Sequence, residues 1–230
     1  DKIISRDDCT FIQSTYLDNP FLEPETIKEI ERLKMDDNYW RVYGLGEKGI
    51  SMSTIFRNTK LIDKIPEDIK FVGYGLDWGF SSDPTALIEV YANETDIYLN
   101  ELIYERGLTN QDIGNKMRDL KIDRHQEIVA DSSEPKSVEE IYRMHFNIKP
   151  SKKGADSIRL GIDIMRRYVI NITKNSINTI KEFRNYKWKQ DKDGHSLPVP
   201  VDSFNHSVDA VRYICLNKLV TNNSGKYYVS

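Results

Sequence analysis

From Phe71 the chain carries three apolar or alternating runs in quick succession, FVGYGLDWG, TALIEVYA and IYLNELIYER, separated by the turn-rich SSDP and NETD. Runs of this kind, closed by Gly, Pro, Asn and Asp, predict three antiparallel strands. The period then changes. A helical stretch over Asn110–Leu120 precedes EIVAD, a short β-branched run ending in Asp131, and SSEPKSVEEIYRMH opens a helix with Pro135 in its first turn, where the missing N–H costs nothing. In SIRLGIDIMRRY, Ile158, Ile162 and Met165 share one side and predict an amphipathic helix. INIT predicts a short strand, NSINTIKEFRNY a helix, and YKWKQDKDGHSLPVPV a hairpin turning at Asp193 and Gly194. The last helix is expected from about Ser203 to Leu219, with Asp202 or Ser203 as its cap. Strands and helices that alternate in this way place the chain in the α/β class.

Residues 1–70 have little alternation of their own. A helix is predicted over Glu25–Lys34, after Pro20 and Pro24, followed by the aromatic and Gly-rich NYWRVYGLGEKG, and LIDKIPEDIK leads into the change of pattern. A chain that begins mid-sequence is expected to open on the end of an upstream region and a linker, with the main domain over 71–220 and a tail over 221–230. A chain of 230 residues can build a core that needs no staples. Cys9 and Cys215 are far apart and match no metal spacing, so both are expected to be reduced thiols. No apolar run approaches the roughly 18 residues of a membrane span, and the charged, Pro-containing start is unlike a signal peptide. A soluble, intracellular protein with no membrane partner is expected.

The net charge of −3 argues against a generally basic nucleic-acid binder. Its distribution changes that picture, because residues 149–192 hold twelve Lys and Arg against four acids, a net +8. Such a block fits a phosphate-tracking surface as well as a solvated helical face.

Three acids stand where folding alone gives little reason to put them: Asp77 ending the first predicted strand, Asp131 ending the fourth, and Asp209 within the last helix. Each is embedded in apolar sequence, where an unpaired carboxylate is costly. Strand ends and a covering helix can converge at the carboxyl edge of a sheet, where open α/β folds place their ligands. Clustered carboxylates suit hard cations, and two ions about 4 Å apart stabilise both the attacking and the leaving oxygens of a phosphodiester. On this reading Asp77 bridges two divalent ions, Mg²⁺ or Mn²⁺, while Asp131 completes one and Asp209 the other. His206 lies three residues before Asp209 on the same helix face, either as a ligand or proton shuttle or as a histidine bonded to a neighbouring carboxylate. Singly, each acid has an ordinary role: Asp77 as a turn cap, Asp131 as a cap of the next helix, Asp209 as a partner of Arg212. Asp83, Glu134 and Asp156 are read as turn and cap residues. No Gly-rich phosphate loop ending in GKS or GKT occurs, the serines lack a nucleophile-elbow context, and the cysteines lack a partnered His.

With these residues in place, the chain resembles the nuclease domain of tailed-bacteriophage terminase large subunits. GYGLDWGFSSDPTA, IVADSSEPKSVEEI, the SIRLGID helix, IKEFRNYKWK followed by DKDG, and FNHSVDAVRY carry the likeness, in that family's order, from about residue 71 to 218. It implies an RNase H-like fold, a mixed sheet of five or more strands with helices on both faces. It also implies metal carboxylates at Asp77, Asp131 and Asp209 with His206 near the second metal, and a nuclease that cuts concatemeric double-stranded viral DNA to begin and end packaging. STYLDNPFL and YWRVYGLGEKG are similar to the segment joining the packaging ATPase to the nuclease, which implies an upstream ATPase domain on the same polypeptide. The portal protein and the small terminase subunit are implied as partners. The host cytoplasm at the procapsid portal, and not the mature virion, is implied as the place of action. By the same resemblance, the YKWKQDKDG hairpin lies beside the site and touches DNA. Lys187 and Lys189 alternate about Trp188, so the lysines can face phosphates while the tryptophan packs inward. Lys152 and Lys153 follow a strand near the expected metal edge and are further DNA-binding candidates.

Two rival readings remain open. LDWGFSSDPTA is also similar to the first phosphate-loop hairpin of actin-like ATPases and sugar kinases, which need a second domain and further Gly-rich turns that these 230 residues lack. A catalytically inactive RNase H-like module that binds DNA or docks on a portal would be indifferent to losing Asp131, whereas a nuclease would not.

Overall fold

The computed structural model describes residues 14–35, 40–46, 53–152, 154, 156–193 and 195–219. Lys153, Cys9, Gly194 and the 221–230 tail, all named from the sequence, lie outside the described residues. The chain divides into two compact units, residues 1–52 and 53–230. In the first unit, α1 (Pro24–Arg32) has Pro24 at its first helical position and tightens into a 3-10 turn over Leu33–Met35. It therefore stops short of the expected Lys34. The Lys34 ammonium lies 4.9 Å from the Trp40 ring centroid.

The second unit is built on β1 (Thr59–Ile62), β2 (Lys70–Asp77), β3 (Thr85–Ala92), β4 (Asp96–Glu105), α2 (Asn110–Asp119), β5 (Ile128–Ala130), α3 (Pro135–Arg143), β6 (Ile148–Pro150), α4 (Ser157–Met165), β7 (Val169–Thr173), α5 (Ile177–Asn185), β8 (Trp188–Gln190), β9 (Ser196–Pro200) and α6 (His206–Lys218). Seven strands form one sheet in the order β1-β7-β4-β3-β2-β5-β6. β2, β3 and β4 are antiparallel neighbours and the remaining pairs are parallel. The mixed sheet agrees with the expected α/β architecture.

Alternation along the strands supplies two cores. Tyr74, Leu76, Leu87, Ile128 and Ala130 point to one face, which α2 and α3 close with Ile113, Met117 and Ile141. Ile88, Val90, Ile97, Leu99 and Val129 point to the other, which α4, α5 and α6 close. A register shift that skips Leu102, opposite Leu87 and Ile88, turns β4 over, so that Ile97 and Leu99 face one core and Ile103 the other. α6 is buried nearly all round, from Ser207 to Leu216, as a helix wedged between a sheet and other helices must be.

Two sequence expectations are corrected. The sheet takes in β1, which lies before residue 71 and pairs in parallel with β7. Its four residues, TKLI, carry no alternation because they occupy an edge. α6 begins at His206 rather than Ser203, because Phe204 sits at φ +57°, a left-handed conformation that a helix cannot continue through. Neither Asp202 nor Ser203 caps it: the cap position is Asn205, whose side chain makes no capping bond.

Candidate functional site

Asp77 ends β2 and Asp131 immediately follows β5, and the pairing of Leu76 with Ala130 sets the two acids side by side at the carboxyl edge of the sheet. The Asp131 amide donates to the Leu76 carbonyl at 3.2 Å, and the Trp78 indole N–H donates to the Asp131 carbonyl at 3.1 Å, so the backbones of both strand ends are tied together. α6 crosses β2 with its first turn over this edge and brings His206 and Asp209 to it. Asp77 Oδ2 lies 3.2 Å from His206 Nδ1, and Tyr213, two turns along the same helix, donates to Asp77 Oδ1 at 3.3 Å.

The site stores electrostatic cost. Burial pushes the Asp77 carboxyl up to about 6; the His206 hydrogen bond pulls against this, and the charges of Asp209 and Asp131 add to it. Burial also raises Asp209, against the pull of Arg212, which donates to its Oδ1 at 3.0 Å. His206 is raised above the usual histidine value, first by its hydrogen bond to Asp77. Buried oxygen donors that hold their charge at a cost, with one imidazole among them, form a donor set that fits a hard or borderline divalent cation. The Ser151 hydroxyl, on the residue after β6 at the same edge, is buried with no protein partner and adds an uncommitted oxygen.

Each carboxylate is turned to its own neighbour. Asp131 accepts the Ser133 amide at 3.2 Å and contacts the Ser133 hydroxyl, a local turn rather than the helix cap weighed as its ordinary role. Asp209 pairs with Arg212, the ordinary role weighed for it. Among the described residues, Asp191, Asp193 and His195 at the hairpin turn are the one trio of ligand side chains with donor atoms within 4.8 Å of one another. Asp77, Asp131 and Asp209 share an edge without closing to that spacing.

Asp83 is the residue that sequence reasoning set aside. Its Oδ1 lies 3.7 Å from His206 Nε2, which makes it a fourth carboxylate at this edge. The Asp-Pro pair that marked it as a turn residue reads the same whether or not a distant histidine faces it. Thr85 pins its loop, accepting the Gly79 amide at 3.3 Å and donating to the Gly79 carbonyl at 2.8 Å.

Glu182 on α5 was also missed. It is 2 % exposed, accepts the Tyr104 hydroxyl at 2.8 Å and accepts the Ser207 amide at 2.5 Å, so it supplies the cap that α6 lacks. Removing it leaves the buried Ser207 amide and the half-buried Tyr104 hydroxyl without this acceptor. Glu182→Ala is expected to lower stability by about 2–4 kcal/mol in urea unfolding, whereas Glu182→Gln, which keeps one acceptor, loses less than half of that. Equal losses for the two would contradict the capping role.

Lys187 and Lys189 are exposed on either side of half-buried Trp188, which packs on the core, and β8 pairs antiparallel with β9 as the hairpin reading requires. Lys152 is exposed just past β6. None of these lysines joins the carboxylate edge. Asp156 stands at the α4 cap position and Glu134 at that of α3, neither making a side-chain capping bond.

Comparison with known proteins agrees with this architecture. A family model for the terminase RNase H-like domain matches residues 77–215, and one for the phage terminase large subunit matches residues 1–47. The large terminase subunit of Bacillus phage SPP1 is 31 % identical over 218 residues, 89 % of this chain and 51 % of that protein. The chain spans about half the length of the curated relatives it matches. The SPP1 large-terminase nuclease domain, solved with bound manganese, superposes with a TM-score of 0.62 at 25 % identity, covering 70 % of this chain and 97 % of that one. The large-terminase nuclease of thermophilic phage G20c, solved with bound cobalt, shares the fold at a TM-score of 0.54 and 16 % identity, over 71 % of this chain and 97 % of that one. The chain belongs to the phage terminase large subunits and carries their RNase H-like nuclease domain.

Proposed function

We propose that this chain is a divalent-metal-dependent endodeoxyribonuclease that cuts concatemeric double-stranded viral DNA to initiate and terminate genome packaging. The observation that carries the reading is the meeting of Asp77, Asp131, Asp209 and His206 at one sheet edge, with the Asp77 carboxyl buried and pushed up to about 6. These four residues are the proposed ligands of two ions, Mg²⁺ or Mn²⁺, and the manganese and cobalt named for the SPP1 and G20c nucleases support a divalent requirement. Bound there, such ions supply the Lewis acidity that activates water and stabilises the leaving oxygen in phosphodiester hydrolysis.

The chain's own groups set up that chemistry. Asp77 is held by Tyr213 and His206 so that both its oxygens stay at the edge. Arg212, 5 % exposed, fixes Asp209 from behind. His206 keeps its second ring nitrogen toward Asp83, where it would serve as a ligand or, in the alternative role with no ion on it, pass a proton to a departing 3′ oxygen. Lys187, Lys189, Lys152 and Lys153 are the proposed phosphate contacts.

The portal protein, the small terminase subunit and an ATPase domain upstream on the same polypeptide are the proposed partners, and the host cytoplasm at the procapsid portal is the proposed place of action. Residues ahead of Ser53 are read as the end of the ATPase region and its linker, residues 53–220 as the nuclease, and 221–230 as a tail. The match of residues 1–47 to the large-subunit model supports that division. Conversion of supercoiled plasmid to open-circular and linear forms tests the reading. Mn²⁺ or Mg²⁺ is expected to support cutting, and EDTA, Asp131→Ala and Asp209→Ala are expected to abolish it. Wild type and variants that behave alike, with DNA bound but never cut, would establish instead a catalytically inactive binding module.

A further inference from the structure

Beside the carboxylate edge a cavity of about 600 Å³ opens between the end of β4, α5 and the loop that enters α6. His206 and Asp83 belong to its wall as well as to the site, so the two are continuous. The rest of its lining has a different chemistry. Arg106, at the end of β4, and Lys181, on α5, face it together with Phe204. The Lys181 ammonium lies 5.9 Å from the Phe204 ring centroid, and Phe204 is 38 % exposed. An aromatic ring held in the open on a left-handed backbone is costly twice over, in conformation and in hydration.

Two acids of this lining are committed to other partners, while Asp202 is exposed. Glu182 is buried and bonded to Tyr104 and Ser207, and Glu105 pairs with Lys116 at 2.7 Å. Among the described residues, no carboxylate oxygen lies within 4.0 Å of Lys181 or Arg106. Two cations without a carboxylate partner and an exposed ring share this cavity with Asp83 and His206 of the carboxylate edge, a juxtaposition that matches a nucleotide's own division into phosphate and sugar. The volume is within the range of sites that enclose a ligand of that size.

We propose that this cavity receives the nucleotide adjoining the scissile phosphate, with Lys181 and Arg106 taking its flanking phosphate and Phe204 packing against its deoxyribose. This rests on the nuclease reading above. It assigns substrate contacts to α5 and to the end of β4, outside the hairpin lysines. It also accounts for Phe204: a ring that breaks the approach to α6 is placed to touch the strand that lies across His206.

The test uses the whole 230-residue chain and a 5′-labelled DNA duplex, with cleavage followed in Mn²⁺ over a range of salt. Lys181→Ala is expected to raise KM roughly fivefold with little change in kcat, and to reduce the slope of log KM against log salt by about one phosphate's share, roughly 0.9. Lys181→Arg is expected to restore both, and Phe204→Ala to raise KM without changing the slope. A single methylphosphonate placed next to the cleaved bond is expected to weaken wild type, which loses both contacts, by more than it weakens Lys181→Ala, which loses only that of Arg106. An unchanged salt slope in Lys181→Ala, or additive losses with the methylphosphonate, overturns the proposal while wild-type cutting continues. Absence of metal-dependent cutting by wild type would instead remove the nuclease reading on which the proposal stands.

Discussion

Asp77→Asn is expected to abolish metal-dependent cutting, by at least about a thousandfold, while making the metal-free protein more stable. The two effects have one cause. Asparagine keeps the shape of the side chain and an oxygen for Tyr213, but it brings no charge to the centre of the carboxylate edge. The wild-type carboxyl moves from 3.8 to about 6 on folding. The folded chain therefore keeps a proton that the unfolded chain releases between these values, and stability falls as pH rises through that window and stays low above it. A shift of this size corresponds to about 3 kcal/mol, already net of the His206 hydrogen bond, and burying the polar asparagine amide offsets part of it. A net gain of about 2 kcal/mol, or roughly 5 °C in Tm, is expected in EDTA near pH 8. It should shrink as pH falls below about 6 and vanish only well below 3.8, where the wild-type carboxyl is protonated in both states. A variant less stable than wild type at pH 8 would contradict the argument that this carboxylate is held at a cost.

Gly75→Ala is expected to cost at least about 3 kcal/mol and to displace Asp209. Gly75 faces α6 from the middle of β2, and a Cβ there would stand 1.9 Å from the Ala210 carbonyl oxygen and 2.5 Å from its carbon. Both obstacles are backbone, so no rotamer change relieves them, and the helix must lift at the residue next to Asp209. Gly161 offers a contrast on the other side of α6. Its added Cβ would meet Arg212 Cγ at 2.4 Å and Cδ at 2.9 Å, a side chain that can shift by loosening its bond to Asp209. Gly161→Ala should cost about 1–2 kcal/mol. Guanidinium midpoints of the two variants give the comparison; equal costs would mean that α6 yields as easily as a side chain does.

The parts of this fold that were legible in the sequence are those in which one local rule decides. β2 and β3 declare themselves by near-continuous apolar runs because each buries both faces, and the helices over Asn110–Asp119 and Pro135–Arg143 by period and by Pro135. β1 gave no such signal: TKLI is an edge strand held only by its parallel pairing with a strand more than a hundred residues away. The start of α6 was misplaced because its capping group is not local. Ser203 and Asp202 are ordinary cap residues, but the amide is taken by Glu182, which belongs to another helix. Asp77, Asp131, Asp209 and His206 could be found because acids in apolar surroundings are conspicuous. Asp83, Lys181 and Arg106 could not be, since charged residues in turns and at element ends are common and only the tertiary fold gives these three a neighbour.

The chain that enters the nuclease unit is also part of the hairpin's footing. The Ser53 carbonyl accepts the Trp188 amide at 3.0 Å, the Ile55 amide donates to the Tyr186 carbonyl at 3.0 Å, and Thr54 bridges to Lys187, while Phe56 lies against Phe183 and Tyr186. β8 is thus gripped on one side by β9 and on the other by the incoming segment, and β1 anchors that segment to the sheet edge a few residues later. In mechanical terms this is a short load path. A pull at Ser53 would reach Trp188 through one backbone hydrogen bond and Lys187 through the Thr54 bridge before it reached β1 and its pairing with β7.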